Sequence, residues 1–242
     1  MGEVILVCSG KGGVGKSTIG YYCSRALAGR GKRVLFIEFD SGLRSIDTLA
    51  GLKDISIYHL GDILDGSCSP DEAICVCPGQ KNLHIICAPS SADDKLNETV
   101  LSGVLSGLKT IYDYIILDAP AGLGYAFCVG AKNCDRALVV VTADKISVRD
   151  GASVTDRLHE MKKPTGLIIN KFEKRAFFNQ PFDDLDQVID EVGAQLLGVV
   201  ISSGELHTNA TNGRYDIGEK ATAQTANIAA RLMGENVRLS IK

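Results

Sequence analysis

Residues 4–18 read Val4-Ile5-Leu6-Val7-Cys8-Ser9-Gly10-Lys11-Gly12-Gly13-Val14-Gly15-Lys16-Ser17-Thr18, and the fold class follows from them. Gly10, Gly15, Lys16 and Ser17 satisfy the spacing G-x-x-x-x-G-K-[ST] of a phosphate-binding loop. The run from Val4 to Cys8 is apolar without alternation, as in a strand buried on both faces, and helical spacing follows the loop. Strand, loop and helix in that order are the context the motif requires. Gly12, Gly13 and Gly15 let the backbone turn several N–H groups toward one anion at the positive end of a helix dipole. Lys16 brings a point charge to the outer phosphates, and Ser17 offers a hydroxyl to magnesium. The nucleotide-binding stretch is therefore Lys11, Gly12, Gly13, Val14, Gly15, Lys16, Ser17 and Thr18.

Working outward, apolar runs and helical patterns alternate along the chain. Strands are expected at 3–8, 33–38, 83–87, 113–118, 136–142, 165–170 and 196–201. Helices are expected near 16–29, 92–109, 121–131, 145–162, 183–192 and 216–233, with shorter helices and turns over 41–75. Unalternated strands separated by helices imply an α/β fold with a mostly parallel central sheet covered by helices on both faces. With the loop above, this is a P-loop NTPase architecture. No repeat, low-complexity tract or linker interrupts it, so one ATPase domain is expected over 1–234, followed by a short tail at 235–242.

At 242 residues, 45% apolar and 23% charged, the chain is of ordinary globular composition and long enough to bury a substantial core. Its net charge of −3 supplies no global field toward nucleic acid or anionic membrane. No stretch approaches the ~18–20 apolar residues of a membrane span, and the N-terminus lacks a signal-peptide pattern. A cytoplasmic location is expected, with the eight cysteines reduced. Cys8, Cys23, Cys87 and Cys128 lie in apolar contexts, where cysteine behaves as a small hydrophobe. Cys75-Val76-Cys77 permits two readings, a metal-ligating pair or one face of a strand begun at Ala73. No second C-x-x-C or His pair at ligand spacing accompanies it.

Two further carboxylates belong beside the loop. Phe36-Ile37-Glu38-Phe39-Asp40 places Asp40 at a strand end, where it either orients a water on the γ-phosphate or caps the next helix. Tyr114-Ile115-Ile116-Leu117-Asp118 has the form of a Walker B element, whose carboxylate holds Mg2+ together with Ser17. Pro120 and Gly122 suit a following loop that changes conformation with the γ-phosphate.

Lys11 alone reads as a solvated loop lysine. Taken whole, Lys11 to Thr18 resembles the deviant Walker A motif of the MinD/ParA family of ATPases. The residues from Phe39-Asp40 through Gly42-Leu43-Arg44 to Asp47 resemble its switch I, and Asp118-Ala119-Pro120-Ala121-Gly122 its switch II. Glu38 stands where that family usually has aspartate. Val148-Arg149-Asp150 matches a family segment near the dimer surface, though by itself it is a charged first helical turn. Asn170-Lys171 falls where the family contacts adenine; the amide suits both donor and acceptor edges of a base, and a strand-terminating turn is the alternative. Ile201-Ser202-Ser203-Gly204-Glu205 replaces the family's usual Ile-Pro-x-Asp and lacks both the proline and the aspartate. The likeness spans residues 1 to about 234 and is nearer the MinD branch than plasmid ParA, through Gly42-Leu43-Arg44 and Val148-Arg149-Asp150.

The resemblance implies a slow, partner-stimulated ATP hydrolase that binds ATP and Mg2+ with Asp40, Lys11 and Lys16 as its catalytic residues. It implies a homodimer formed on ATP–Mg2+ and dissolved by hydrolysis, with Lys11 reaching across to the partner's nucleotide and Asp40 acting on the attacking water. The output is a spatial or regulatory switch in cell division or intracellular positioning, read by a protein partner. MinD proteins carry a basic amphipathic C-terminal helix for membrane. Here Val237, Leu239 and Ile241 alternate with polar residues, a strand period, so no direct membrane anchor is expected. Such a tail pairs with a sheet edge or stays disordered. The alternatives are a metal or iron–sulfur delivery ATPase using Cys75 and Cys77, a ParA-like DNA-partition ATPase using the cluster Lys171, Lys174 and Arg175, or a binding module that hydrolyses nothing.

Overall fold

Strand β1 (Glu3–Cys8) sits near the middle of the sheet because the chain builds outward from it in two directions. A computed structural model describes residues 1–40, 45–52, 57–88, 96–173, 182, 184–213 and 216–239. Helix α1 (Lys16–Gly29) leads to β2 (Val34–Glu38), then α2 (Ser45–Ala50), α3 (Leu60–Asp65) and α4 (Pro70–Ala73). Next come β3 (Cys75–Val76), β4 (Leu83–Ile86), α5 (Glu98–Leu108) and β5 (Tyr114–Asp118). The second half runs α6 (Tyr125–Asn133), β6 (Arg136–Thr142), α7 (Lys145–Glu160), β7 (Thr165–Phe172), α8 (Leu185–Val192), β8 (Gln195–Ile201), α9 (Gly204–Thr211) and α10 (Glu219–Leu232).

The strand order is β3-β4-β2-β5-β1-β6-β7-β8. All pairs are parallel except β3 with β4. The chain first winds away from β1 toward β4, returns to insert β5 beside it, and then winds the other way through β8. A crevice opens at the carboxyl ends of the strands where that direction reverses, and the loop after β1 lies in it.

The period of two explains why the central strands are apolar throughout. Val4, Leu6 and Cys8 of β1, with Ile115 and Leu117 of β5, enter one core, where α5, α6 and α7 contribute Leu101, Leu105, Phe127, Val154 and Leu158. Ile5 and Val7, with Val34, Phe36 and Ile116, enter the other, against Ile19 and Leu27 of α1 and Ile228 and Leu232 of α10. Each face is thus covered by helices, as the α/β expectation required.

Differences from the expected boundaries have local causes. Helix α6 begins at Tyr125 instead of 121, because Gly122 is at φ 88 and Gly124 forms the cap. Helix α5 begins at Glu98, where Asn97 Oδ1 accepts from the Thr99 and Val100 N–H groups at 3.1 and 3.2 Å; residues 92–95 of the expected helix lie outside the described residues. Helix α9 was not expected; Ser203 Oγ accepts from Leu206 N at 3.3 Å and starts it. The strand face expected from Ala73 through Cys77 shrinks to Cys75–Val76, because Ala73 ends α4 and Cys77 follows the strand. Both cysteines are buried while Val76 is 59% exposed, and among the described residues no group of three or more His, Cys, Asp or Glu side chains is arranged to hold a metal.

The described part of the tail is tied down without forming a strand. Gly234 turns the chain at φ 84. The Arg231 guanidinium then bridges two segments, donating to Leu197 O of β8 at 2.7 Å and to Val237 O at 3.1 and 3.0 Å. Arg30 reaches Glu235 at 2.6 Å. Ser240 to Lys242 lie outside the described residues. Replacing Arg231 by methionine keeps the stem and removes the donors. It is expected to cost about 1–2 kcal/mol in urea unfolding and to open the tail after Gly234 to proteolysis.

Candidate active site

The loop between β1 and α1 takes its shape from close backbone approach. Gly15, the N-cap of α1, is at φ 86, and a Cβ there would stand 2.4 Å from Asn170 Nδ2. A Cβ on Gly10 would stand 2.3 Å from the backbone oxygen of Asp150. The loop is therefore pressed between the start of α7 and the end of β7, and side chains are excluded at both positions. Fourteen residues of α1 direct their dipole into the hollow, a setting that favours an anion.

Inside it, Lys16 Nζ donates to Asp118 Oδ1 at 2.6 Å and approaches Ser17 Oγ at 3.2 Å. The pair is 7% and 0% exposed. Asp118 Oδ2 is buried with no hydrogen-bond partner. An oxygen-only cation such as Mg2+ fits such a donor set, a hydroxyl and an unpartnered carboxylate oxygen side by side. Burial pushes the Asp118 carboxyl above the usual carboxylate range; Lys16 opposes that shift and the nearby Asp40 adds to it. The sheet fixes this geometry, since Asp118 lies in register with Val7 of β1 and Glu38 of β2.

Asp40 follows β2 in the same crevice, half-buried. The donor that a helix cap would satisfy, Ile46 N–H, is bound instead by Glu38 Oε1 at 3.1 Å. Glu38 Oε2 accepts from Ala88 N at 3.3 Å. Glu38 is thus a fully buried tie between β2, α2 and the end of β4. Ser41 to Arg44 of the expected switch I lie outside the described residues. In the expected switch II, Gly122 N–H donates to Ser9 O at 2.8 Å, which hangs that loop on the base of the phosphate loop.

Lys11 points to the mouth of the site, where its Nζ meets Asp144 Oδ1 at 3.4 Å with both side chains partly exposed. Asp144 caps α7, accepting from Ser147 N at 3.1 Å and from Thr142 Oγ1. Partial burial works against its ionisation. The hydrogen bonds from Thr142 and Ser147 and the Lys11 charge outweigh that and hold the carboxyl below its ordinary range. Arg149 is exposed and paired with Asp150, while Val148 is buried.

Asn170 is 2% exposed; its Nδ2 donates to Val14 O at 2.8 Å, and its Oδ1 has no partner. Lys171 Nζ donates to Gly13 O at 2.7 Å. A cavity of about 580 Å³, lined in part by Ser203, Glu205, Asp216 and Lys220, opens beyond the end of β8. Ser202 N–H bonds Phe172 O at 3.0 Å, which sets this cavity beside the end of β7. Of the basic cluster, Lys174 and Arg175 lie outside the described residues. Sequence reasoning did not single out Asp144 or the backbone role of Lys171; Asp144 is 133 residues from Lys11, and no local pattern links them.

A family model described as an AAA domain matches residues 2–171. The septum site-determining protein MinD of Bacillus subtilis is 31% identical over 248 residues, covering 100% of this chain and 92% of the relative. The MinC:MinD cell division protein complex of Aquifex aeolicus contains a chain of similar structure, with a TM-score of 0.90, 30% identity and 98% of each chain covered. The septum site-determining protein MinD of Pyrococcus horikoshii complexed with Mg-ADP gives a TM-score of 0.85 at 25% identity, covering 96% of each chain.

The Lys16–Asp118 pair makes the stability of the fold sensitive to pH. Asp118 is held above its unfolded pKa, so the folded state binds the extra proton and stability falls as pH rises through that window. Truncation in Lys16→Ala leaves the carboxylate unpaired and is expected to cost about 3 kcal/mol near neutrality. Urea unfolding at about pH 5 and about pH 8 checks it: the deficit of the variant should be larger at the higher pH.

Proposed function

The chain belongs to the MinD/ParA family of P-loop ATPases, and on that premise we propose that it is a MinD-like cell-division switch that dimerises on ATP–Mg2+ and separates after hydrolysis. The ATPase domain is assigned to residues 1–234. The observation that carries the reading is the state of Lys11. Its cation stands at the mouth of the site on a loose 3.4 Å contact with Asp144, and a partly exposed pair of this kind holds its members with little energy. Such a lysine is free to exchange Asp144 for the more highly charged phosphates of a second protomer.

Each part of the site has a role in that scheme. The loop N–H groups from Gly12 to Thr18 cradle the phosphates. As the triphosphate enters, the Lys16 ammonium exchanges one anion for another and releases Asp118. Ser17 and Asp118 would hold Mg2+, which supplies positive charge to the phosphate oxygens when bound. Asp40 orients the water that attacks the γ-phosphorus, giving ADP and phosphate. The unpartnered Oδ1 of Asn170 suits the exocyclic amine of adenine, and the cavity beyond β8 offers room on that side. Arg149, exposed beside the loop, suits the protomer interface.

The partner is proposed to be a protein that reads or stimulates the ATP state, by analogy with the Aquifex aeolicus MinC:MinD complex. Among the described residues no helix is long and apolar enough to cross a membrane. Cargo delivery through Cys75 and Cys77 has no support in their packing, since Cys77 contacts Tyr21 and Arg25 in the core.

Replacing Lys11 by alanine separates this scheme from a phosphate loop that works alone. ADP affinity measured by calorimetry is expected to stay within about twofold of wild type, because Lys11 serves the partner's nucleotide. ATP hydrolysis is expected to fall by about 100-fold or more, through loss of charge stabilisation supplied in trans. Hydrolysis at the wild-type rate would rule the scheme out.

A further inference from the structure

The end of β7 is irregular, and its irregularity is aimed at the phosphate loop. The register against β8 shifts between Ile169 and Phe172, and Lys171 lies within that shift at φ 53. Left-handed backbone is unfavourable for a long side chain and persists only where the surroundings enforce it. What the conformation achieves is visible in two hydrogen bonds. Asn170 Nδ2 takes the carbonyl of Val14 at 2.8 Å, and Lys171 Nζ takes the carbonyl of Gly13 at 2.7 Å. Consecutive side chains on one strand normally point to opposite faces; the bulge at Lys171 lets both reach the same loop.

The consequence follows from the planarity of the peptide bond. In a trans peptide the C=O and the N–H of one plane point in opposite directions. Drawing the Gly13 carbonyl toward Lys171 turns the N–H of Val14 away from β7. Drawing the Val14 carbonyl toward Asn170 does the same for the N–H of Gly15. These are two of the donors that a phosphate nest requires. The Lys171 contact is charge-assisted, and such bonds are stronger than those between neutral groups. Gly15 leaves no slack, since even a Cβ there would meet Asn170.

We infer that Asn170 and Lys171 are positioning residues that clamp the 13–14 and 14–15 peptide planes, so that the Val14 and Gly15 N–H groups face the phosphates before nucleotide arrives. Lys171 thereby sets nucleotide affinity from outside the hollow. The inference rests on the nucleotide-binding reading above and adds to it a residue with no place in the phosphate-loop motif.

The test uses ADP–Mg2+ binding by calorimetry and thermal melting of the nucleotide-free protein. Lys171→Gly relieves the left-handed backbone and removes the donor. Lys171→Asn tolerates the same backbone with a side chain too short to reach Gly13. Both variants are expected to melt at or above the wild-type temperature and to bind ADP–Mg2+ about tenfold more weakly. The gap should persist at about 0.5 M salt, where simple attraction of an anion to an exposed lysine is screened. Wild-type affinity in either folded variant, or a gap that closes at high salt, would overturn the clamp. A wild-type protein that binds no ADP–Mg2+ is a distinct result; it would remove the nucleotide reading and the clamp together.

Discussion

The buried ion pair between Lys16 and Asp118 is the constraint around which this molecule is arranged. Two full charges in a dry site are tolerated only while each has the other or a substitute. Everything near them serves that condition. β1 and β5 deliver loop and carboxylate to the same level of the sheet, α1 directs its dipole inward, and the second oxygen of Asp118 is left without a partner. A phosphate for Lys16 and a cation for Asp118 would satisfy both members at once.

Around that fixed centre lie contacts of graded strength. Glu38 ties β2 to α2 and to Ala88 from a fully buried position, so the segment bearing Asp40 is anchored at its root. The loop after Asp118 hangs by the Gly122 N–H on Ser9. The Lys11–Asp144 pair is longer and more exposed. The order matters for function. Glu38, which has to hold a constant geometry, is buried and bonded through both oxygens, while Lys11, proposed to reach a second protomer, is held by little.

Much of this was legible in the sequence, because phosphate loops and buried parallel strands are local patterns. The run from Val4 to Ser17 gave strand, loop and helix, and the carboxylates at strand ends announced themselves by following apolar runs. What escaped was set by tertiary neighbours. Glu38 read only as a glutamate where the family usually has aspartate, and its part as a backbone tie is revealed by the positions of Ile46 and Ala88. Asp144 was hidden as an ordinary helix cap. The bulge at Lys171 depends on the register of β8, and α9 depends on a serine cap in a stretch read for another motif. The alternation at Cys75-Val76-Cys77 did report burial, with both cysteines inside and Val76 outside, but the strand is only two residues long because α4 ends at Ala73.

The central claim, that the γ-phosphate governs assembly, is tested most directly by the solution mass of Asp40→Ala protein with Mg2+ in ATP and in ADP. Removing the carboxylate proposed to orient water should trap whatever ATP assembles. The account predicts a dimer in ATP and a monomer in ADP. A monomer in both, with ATP binding verified on the same sample, would contradict it.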